Sequence, residues 1–256
     1  MNKLKKMIFV ILAVSLITQV NVIDSSAGTL GKTSITSVKQ VGKKAVNLTW
    51  KKISGAKGYE VQYRSGGNSW KSKVTQKNKI CITGLNMDET YQFRIRAYKT
   101  ENGKKKYGKY SVLKKITIHD YIYLIDLYQP YHSSYYEAYD NGKYFFMGGS
   151  KQKNGFILGQ NYWGVEKNAD FNIEGKYKSI SFNVGKVDDA SDSPTDGDLD
   201  VNIYSDGILI DTIKVEIDAL PQRVNMQLDY TERLTFEVET GACTLVGISN
   251  LKLYYR

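Results

Sequence analysis

The clearest pattern in the chain is a set of three consecutive strand signals in its second half. Apolar and polar residues alternate over 180–185 and again over 199–204, so the apolar side chains of each strand share one face. Asp206 and Gly207 then supply the residue types that a tight hairpin turn needs, and 208–213 returns as the third strand. The inward residues predicted for the first two strands are Ile180, Phe182, Val184, Leu199, Val201 and Ile203. This pattern predicts an antiparallel β-sandwich.

The same alternation runs through the first half of the chain and predicts a second set of strands. Trp70 marks a further strand, Asn102 and Gly103 mark a hairpin turn, and 112–118 closes the sheet. The predicted inward residues are Val46, Leu48, Trp50, Tyr59, Val61, Tyr63, Ile80, Ile82, Tyr91, Phe93, Ile95 and Ala97. No long helical periodicity is present, and 20 tyrosines accompany only 3 prolines. The chain is therefore predicted to be all-β.

Three features of the first half together resemble the fibronectin type III domain. Trp50 stands early as a core tryptophan, Leu85 and Tyr91 have the spacing of the tyrosine corner, and 91–97 has the order Tyr-x-Phe-x-Ile-x-Ala. We assign this domain to residues 32–118. The resemblance implies an immunoglobulin-like sandwich of about seven strands that acts as a spacer or presentation module without an enzymatic site. The Arg-Gly-Asp tripeptide that some of these domains carry is absent.

The N-terminal residues have the pattern of a secretory signal peptide, which we assign to residues 1–27. Three lysines precede the apolar run 7–17, and the small residues Ser25, Ser26 and Ala27 follow it. The run is too short for a typical membrane-spanning helix, so an uncleaved anchor is the less favoured alternative. The mature chain is expected to be bacterial, secreted or cell-wall associated, and without membrane attachment.

The formal net charge of +10 hides a strong asymmetry. Residues 32–118 carry 21 Lys and Arg against 4 Asp and Glu, a balance of +17, whereas residues 119–256 carry 12 against 21, a balance of −9. Such a break in composition indicates a domain boundary near residue 119. The lysines of the first half, including those at 104–106, favour contact with an anionic wall polymer. Edge-strand lysines that prevent aggregation are the alternative, and no nucleic acid partner is expected.

The second half, assigned to residues 119–256, resembles the NPCBM family of carbohydrate-binding modules, which are galactose-binding-like jelly rolls. The matching segments follow in order: Tyr123–Leu127, Gly148-Gly149, Asn154–Phe156, Gly175–Tyr177, Val184–Asp189, Val201–Gly207, Leu234–Val238, Gly241 and Leu251–Leu253. The resemblance implies a jelly roll that binds glycans or cell-wall polysaccharide. Seven tyrosines between residues 119 and 139 are expected to pack on this domain rather than to form a flexible linker.

Residues 160–163 form the strongest candidate for a sugar site. Trp163 and Tyr162 supply rings that can lie against the C–H face of a sugar, and Gln160 and Asn161 supply hydrogen-bonding groups for its hydroxyls. Two adjacent aromatic residues in a strand cannot both face the core, so at least one ring is expected to be exposed. The alternative is that one of the two rings closes the end of the sandwich.

Two further candidate sugar-binding residues, Asn154 and Asp206, lie on other loops. Many relatives in the NPCBM family have a segment with histidine and alanine where this chain has residues 159–163. The ligand of those relatives therefore need not be the ligand of this chain.

The acidic loop 186–198 contains five aspartates and is a candidate calcium site, because Ca²⁺ takes its oxygen ligands from carboxylates and backbone carbonyls. Asp188 and Asp189 are the candidate ligands. The loop lacks the spacing of an EF-hand, and solvated or turn-forming aspartates are the alternative. No cofactor other than this structural calcium is expected.

The sequence contains few residues suited to catalysis. His119 and His132, the two histidines, lie in no motif of metal-ligand spacing, and no nucleophile elbow or phosphate-binding loop is present. Cys81 and Cys243 each lie within an apolar strand pattern and are expected to be small buried hydrophobic residues. An enzyme is therefore the least favoured class.

These features predict a secreted, non-catalytic carbohydrate-binding protein in which a fibronectin type III spacer presents a glycan-binding jelly roll. The competing hypothesis is a cell-wall-associated protein–protein interaction or adhesion module that has the same jelly roll without sugar binding. Exposure of Tyr162 or Trp163 in a groove with hydrogen-bonding neighbours would distinguish the two.

Overall fold

A computed structural model describes residues 30–159, 167–188, 197–238 and 244–256. The fold of these residues is all-β, as predicted, with one short helix. The signal peptide predicted for residues 1–27 lies outside the described residues. Within the described ranges, no helix combines the length and the apolar character that crossing a membrane requires.

The first half forms two antiparallel sheets. Its strands are β1 (Ile35–Gly42), β2 (Ala45–Trp50), β3 (Gly58–Ser65), β4 (Lys71–Thr75), β5 (Lys79–Thr83), β6 (Thr90–Glu101), β7 (Lys104–Tyr107) and β8 (Lys114–Thr117). One sheet has the order β1-β2-β5 and the other the order β4-β3-β6-β7. β7 and β8 pair with different parts of β6 and so act together as one interrupted strand. Counted in this way, the first half has the seven strands that the resemblance implied.

The core of the first half lies between these two sheets. Trp50 is 2% exposed, and the alternating residues predicted to face inward on β2, β3 and β6 are buried. Tyr91 forms the tyrosine corner, since its hydroxyl accepts the backbone N–H of Asn86 at 3.0 Å beside the buried Leu85. These predictions for the first half are confirmed.

Cys81 contradicts the prediction that both cysteines are buried. Its side chain is exposed, whereas Ile82 next to it in β5 is fully buried. The period of two explains the difference, because Ile80 and Ile82 face the core and the residue between them must face solvent. Cys243 lies outside the described residues.

The second half also forms two sheets, which pack face to face. Its strands and helix are β9 (Tyr121–Tyr123), α1 (Leu124–Leu127), β10 (His132–Ser134), β11 (Tyr136–Tyr139), β12 (Phe145–Met147), β13 (Ser150–Gln152), β14 (Gly155–Leu158), β15 (Lys167–Asn172), β16 (Tyr177–Lys186), β17 (Leu199–Ser205), β18 (Ile208–Val215), β19 (Gln222–Gln227), β20 (Arg233–Val238) and β21 (Val246–Tyr255). The sheet orders are β10-β15-β20-β17-β18 and β11-β14-β21-β16-β19, with β9 added beside β21.

Four phenylalanine rings lie at the centre of this sandwich. Phe236 packs edge-on against Phe156 at 5.4 Å, Phe182 at 5.5 Å and Phe171 at 6.4 Å between ring centroids. All four side chains are fully buried, and the inward residues predicted for β16 and β17 belong to the same core. The hairpin turn predicted at Asp206 and Gly207 is confirmed by their positive φ angles of 52° and 86°.

The hairpin of β12 and β13 covers the outer face of the second of these sheets. Phe145 and Met147 pack there with Ile157 and Val187 in a separate small core. A Cβ atom on Gly247 would lie 2.4 Å from the Phe145 ring, so glycine is needed for the hairpin to approach the sheet.

The tyrosine-rich segment 119–139 is part of the second sandwich, as expected. It supplies β9, α1, β10 and β11, and Ile122, Leu124 and Ile125 are buried in the main core. The side chain of Gln40 in β1 joins this segment to the first half, because it donates to the carbonyl of His119 at 2.7 Å and accepts the N–H of His119 at 3.0 Å.

We expect Tyr91→Phe to lower the free energy of unfolding of the first half by about 1 kcal/mol, because it removes the tyrosine-corner hydrogen bond together with the contact of the same hydroxyl with Glu89. Urea denaturation measures the loss. Tyr63→Phe is the matched control, since Tyr63 packs in the same core and its hydroxyl has no hydrogen-bond partner among the described residues. Equal losses in the two variants would contradict the role given to the corner.

Candidate functional site

Six strand ends of the second sandwich lie together at one end, which we call the loop end. They are Leu158, Lys167, Lys186, Leu199, Val238 and Val246. Tyr135 joins β10 in one sheet to β11 in the other, and its carbonyl accepts the N–H of Gly159 at 2.9 Å. Segments 160–166, 189–196 and 239–243 connect these strand ends and lie outside the described residues. The predicted residues Gln160, Asn161, Tyr162 and Trp163 belong to the first of these segments.

A cavity of about 280 Å³ opens at the root of the segment that contains Trp163. Three tyrosines and one carboxylate contribute to its walls, together with backbone of the loop root. Its lining consists of Tyr135, Tyr136, Glu137, Tyr139, Ile157, Gly159 and Leu245. Rings combined with a few polar groups are the surface that a sugar requires, since the rings meet C–H groups and the polar groups meet hydroxyls.

Tyr135 has an unusual backbone conformation for its residue type. Its φ angle is +52°, in the left-handed region that aspartate, asparagine and glycine adopt more easily. Backbone strain of this kind costs about 1–3 kcal/mol and is concentrated at functional sites. No contact of Tyr135 with another ring or with a cation is found among the described residues, and its side chain is half-buried.

The other two tyrosines of the cavity remain protonated at neutral pH. Burial, with a smaller contribution from Asp140, raises the pKa of Tyr136 to about 12. Burial, with a smaller contribution from Glu137, also raises the pKa of Tyr139. The Tyr136 hydroxyl is buried and has no hydrogen-bond partner among the described residues, so its partner must be another residue, water or a ligand.

Gly159 begins the loop segment under tight restraints. Its φ angle is +118°, and a Cβ atom there would lie 3.2 Å from the carbonyl oxygen of Thr244 and 3.5 Å from the buried side chain of Lys167. A larger residue would therefore push this strand end away from its neighbours.

Asn154 and Asp206 do not lie beside Gly159. Asn154 is at the other end of β14, where its carbonyl accepts the N–H of Leu251 at 3.2 Å. Asp206 is in the β17–β18 hairpin at the opposite end of the sandwich, and its carboxylate accepts backbone N–H groups of Glu232 at 3.1 Å and Arg233 at 2.7 Å. The Asp206 side chain thus has structural partners, and the structure does not bring either residue together with the cavity.

Asp188 holds the hairpin of β12 and β13. Its two carboxylate oxygens accept the N–H groups of Gly148 and Gly149, each at 2.7 Å, and its own N–H donates to Phe146. Asp189, the second predicted calcium ligand, lies outside the described residues. Among the residues that the structure describes, no group of three or more acidic, histidine or cysteine side chains could hold a metal ion.

His132 is the histidine with a carboxylate partner in the described part of the chain. Its Nδ1 lies 3.2 Å from Asp170, and the other oxygen of Asp170 accepts the hydroxyl of Thr235. The carboxylate therefore stands between the imidazole and the hydroxyl. Activation of a hydroxyl nucleophile needs the imidazole in the middle, so these three residues lack that geometry.

Residues 33–112 match the family model of the fibronectin type III domain. This confirms the resemblance predicted for the first half. No protein with curated annotation matches the chain.

Among solved structures, similarity is found to carbohydrate-binding modules of the CBM51 type from Clostridium perfringens. A ZmpB structure with a catalytic domain, CBM51-1 and CBM51-2 is 13% identical, with 88% of this chain and 31% of that chain covered and a TM-score of 0.43. A CBM51 of GH95 in complex with methyl-galactose is 15% identical, with 52% and 99% covered and a TM-score of 0.39. CBM51-2 of ZmpB in complex with GlcNAc and INT domains is 14% identical, with 85% and 45% covered and a TM-score of 0.41. The chain thus spans less than half of either ZmpB structure.

Sequence analysis missed Tyr135, Glu137 and Tyr139 as site residues. The signal was present, because Tyr135 and Tyr136 are adjacent and cannot both face the core. The structure shows the expected division, with Tyr136 packed against Phe156 in the core. The same argument had been applied only to Tyr162 and Trp163.

We expect Asp188→Asn to lower the free energy of unfolding of the second half by about 1–3 kcal/mol, because the amide cannot accept both glycine N–H groups. Thermal melts in calcium and in EDTA should show the same loss. Asp211→Asn is the control, since the hydrogen bond of Asp211 is only to the adjacent Thr212. A parent protein that melts higher in calcium, with the gain absent in Asp188→Asn, would instead assign Asp188 to a metal site.

Proposed function

We propose that this protein is a secreted, non-catalytic carbohydrate-binding protein that binds a glycan at the loop end of its second sandwich. The cavity formed by Tyr135, Glu137 and Tyr139 at the root of residues 160–163 is the observation that carries this proposal. The sugar stacks on Trp163, and to a lesser degree on Tyr162, while Gln160 and Asn161 bind its hydroxyls. The first half acts as a spacer and contributes a contact with an anionic polymer of the cell wall.

The chemistry of the cavity supports a neutral sugar as ligand. Phenols that stay protonated donate hydrogen bonds to hydroxyl oxygens, and Glu137 can accept hydrogen bonds from sugar hydroxyls. Tyr135 keeps an unfavourable backbone angle in the position where its ring borders the cavity. Strained backbone at a pocket supports a role in binding here because the same residue also borders the cavity.

A protein–protein interaction module is the second candidate, and one observation favours it. Strand β18 is an edge strand that pairs only with β17, and its first three residues are exposed aliphatics. Ile208 is 70% exposed, Leu209 51% and Ile210 41%. An open apolar edge can accept a strand from another protein.

We expect Tyr135→Asn to weaken glycan binding about 5-fold or more while it leaves the melting temperature unchanged or higher. The ring that borders the cavity is lost, but asparagine accepts the left-handed backbone angle with less strain. A glycan array followed by calorimetry with the best binder measures the affinity.

Tyr230→Asn is the matched control, because Tyr230 has a φ angle of +51° between β19 and β20, at the opposite end of the sandwich. It should relieve the backbone strain and leave the affinity unchanged, although it also removes the contact of the Arg256 guanidinium with the Tyr230 ring at 3.7 Å. Normal glycan binding by Tyr135→Asn would remove Tyr135 from the site.

We expect Trp163→Ala to lower glycan affinity about 5- to 150-fold, since burial of a large ring face is worth about 1–3 kcal/mol. If the ring is exposed, the melting temperature changes little. Tyr162→Ala should show a smaller loss. If Trp163→Ala unfolds, or if it binds the glycan normally, the ring belongs to the core. The cavity residues would then be the site to test.

A further inference from the structure

The outer face of the five-stranded sheet in the first half carries an alternating series of cations and aromatic rings, which we call the arginine column. Its members in spatial order are Arg64, Trp70, Arg94, Tyr110, Arg96, Tyr107, Tyr98 and Lys105. The guanidinium carbons of Arg64 and Arg94 lie 4.4 and 4.2 Å from the centre of Trp70. Those of Arg94 and Arg96 lie 4.1 and 4.4 Å from the centre of Tyr110, and Arg96 lies 3.9 Å from that of Tyr107.

The series is regular because sheet pairing sets its spacing. Gln92, Arg94 and Arg96 are alternate residues of β6, and they pair across the sheet with Arg64, Gln62 and Glu60 of β3. Alternate residues on one strand are about 7 Å apart, which leaves room for one ring between successive guanidinium groups. Trp70 and Tyr110 occupy those spaces. Arg94 and Arg96 are neighbours on one face of β6, and Arg64 lies on β3 diagonally opposite Arg94, so the three positive charges follow one another along the sheet.

Two of the three arginines, Arg64 and Arg94, have no carboxylate partner in the part of the chain that the structure describes. Arg94 donates to the side-chain oxygen of Gln62 at 2.9 and 2.7 Å, and Arg64 donates to that of Gln92 at 3.4 Å. These glutamines orient the guanidinium groups without neutralising them. The Nη1 groups of both arginines have no hydrogen-bond partner among the described residues, so each can donate to an anion.

Glu60 is the acidic residue on this face of the described sheet, and its charge is already used. Arg96 donates to it at 2.5 Å and the Tyr110 hydroxyl at 2.8 Å. The exposed Lys115 pairs with Gln92 and thus lies on the same face, and Lys105 lies 4.7 Å from the Tyr98 ring at the other end. The face keeps a clear excess of positive charge after every ion pair on it is counted.

Two rings of the column, Trp70 and Tyr110, are occupied by guanidinium groups. Each has two guanidinium carbons within 4.4 Å of its ring centre, which leaves little of either ring for a nucleobase or a sugar. Proteins that bind single-stranded nucleic acid depend on open aromatic faces between their cations. Between Arg64 and Arg96 the column therefore offers mainly charges and N–H donors.

We propose that the arginine column is the binding site for a linear polymer that carries phosphodiester groups and no bases. The proposal rests on the polymer contact included in the proposed function and identifies the surface that makes it; it is independent of the glycan site. A short repeat unit lets successive phosphates lie on successive guanidinium groups, each by charge-assisted hydrogen bonds. The rings hold each guanidinium plane in place and reduce the entropy lost on binding.

The test uses the full chain and a synthetic poly(glycerol phosphate) immobilised on a sensor, over a series of salt concentrations. Arg64→Gln combined with Arg94→Gln should lower the affinity about 10-fold or more, because hydrogen bonds to charged groups are lost. The slope of log affinity against log salt should become shallower by about 0.7 for each phosphate contact removed. Neutral-glycan binding by the same variant should be unchanged, which separates this proposal from the glycan site.

Lys71→Gln combined with Lys73→Gln is the matched control. It removes two exposed charges from β4, where these residues pair with Tyr63 and Val61 and so face away from the column. Its affinity should fall by less than about 3-fold. Equal losses in the two double variants would overturn the proposal, since net charge alone would then explain binding.

Arg64→Lys combined with Arg94→Lys keeps the charge and loses the planar stacked groups, and it too should bind more weakly than the parent. Unchanged affinity in this variant would show that no built site exists. Tighter binding of the parent to single-stranded DNA, or equal binding to dextran sulfate, would overturn the assignment to a phosphodiester polymer. A fall in melting temperature without a fall in affinity would make the column purely structural.

Discussion

The contact of Phe236 with three other phenylalanine rings is the interaction on which the second sandwich depends. It joins β20 in one sheet to β14 and β16 in the other, so the two sheets can pack in only one arrangement. Because strand pairing fixes the register within each sheet, this arrangement also fixes which strand ends meet. The loop end and its cavity are therefore consequences of the core, and the sequence of the connecting segments can vary there without a change in the packing below them.

The strands were predictable because burial on one face imposes a period of two, and Phe182, Val201 and Tyr91 all follow it. The same period of two places Cys81 in solvent, because it lies between Ile80 and Ile82. The apolar character of cysteine predicted the opposite, and position in the strand decided. The sequence could not show that Asn154 and Asp206 lie away from the loop end. The local pattern of apolar and polar residues predicts strands but not the order in which they pair. The arginine column could not be predicted for the same reason. Its residues come together only through strand pairing, as when Gln62 of β3 lies opposite Arg94 of β6.

The two halves use aromatic residues in opposite ways. In the first half, guanidinium groups cover the faces of Trp70 and Tyr110, and the rings act as spacers between charges. At the loop end, Tyr135 has no ring partner among the described residues and borders an open cavity. Composition alone does not separate these two uses of tyrosine and tryptophan, because the chemical difference between the charged surface and the proposed sugar site lies in what covers each ring.

The hydrogen bonds of Gln40 have a consequence for how the whole chain meets a surface. The side-chain amide of Gln40 bonds to both backbone groups of His119, as a neighbouring strand would. These bonds restrict rotation at the connection between the halves, which a covalent linker alone would not do. In the proposed function, glycan binding and polymer binding are two weak attachments, and a connection held in this way lets them act as a bivalent ligand, because the first binding event raises the effective concentration for the second. The proposal then implies selectivity by geometry: a surface that presents both ligands at the matching separation would retain the protein longer than a surface that presents either ligand alone.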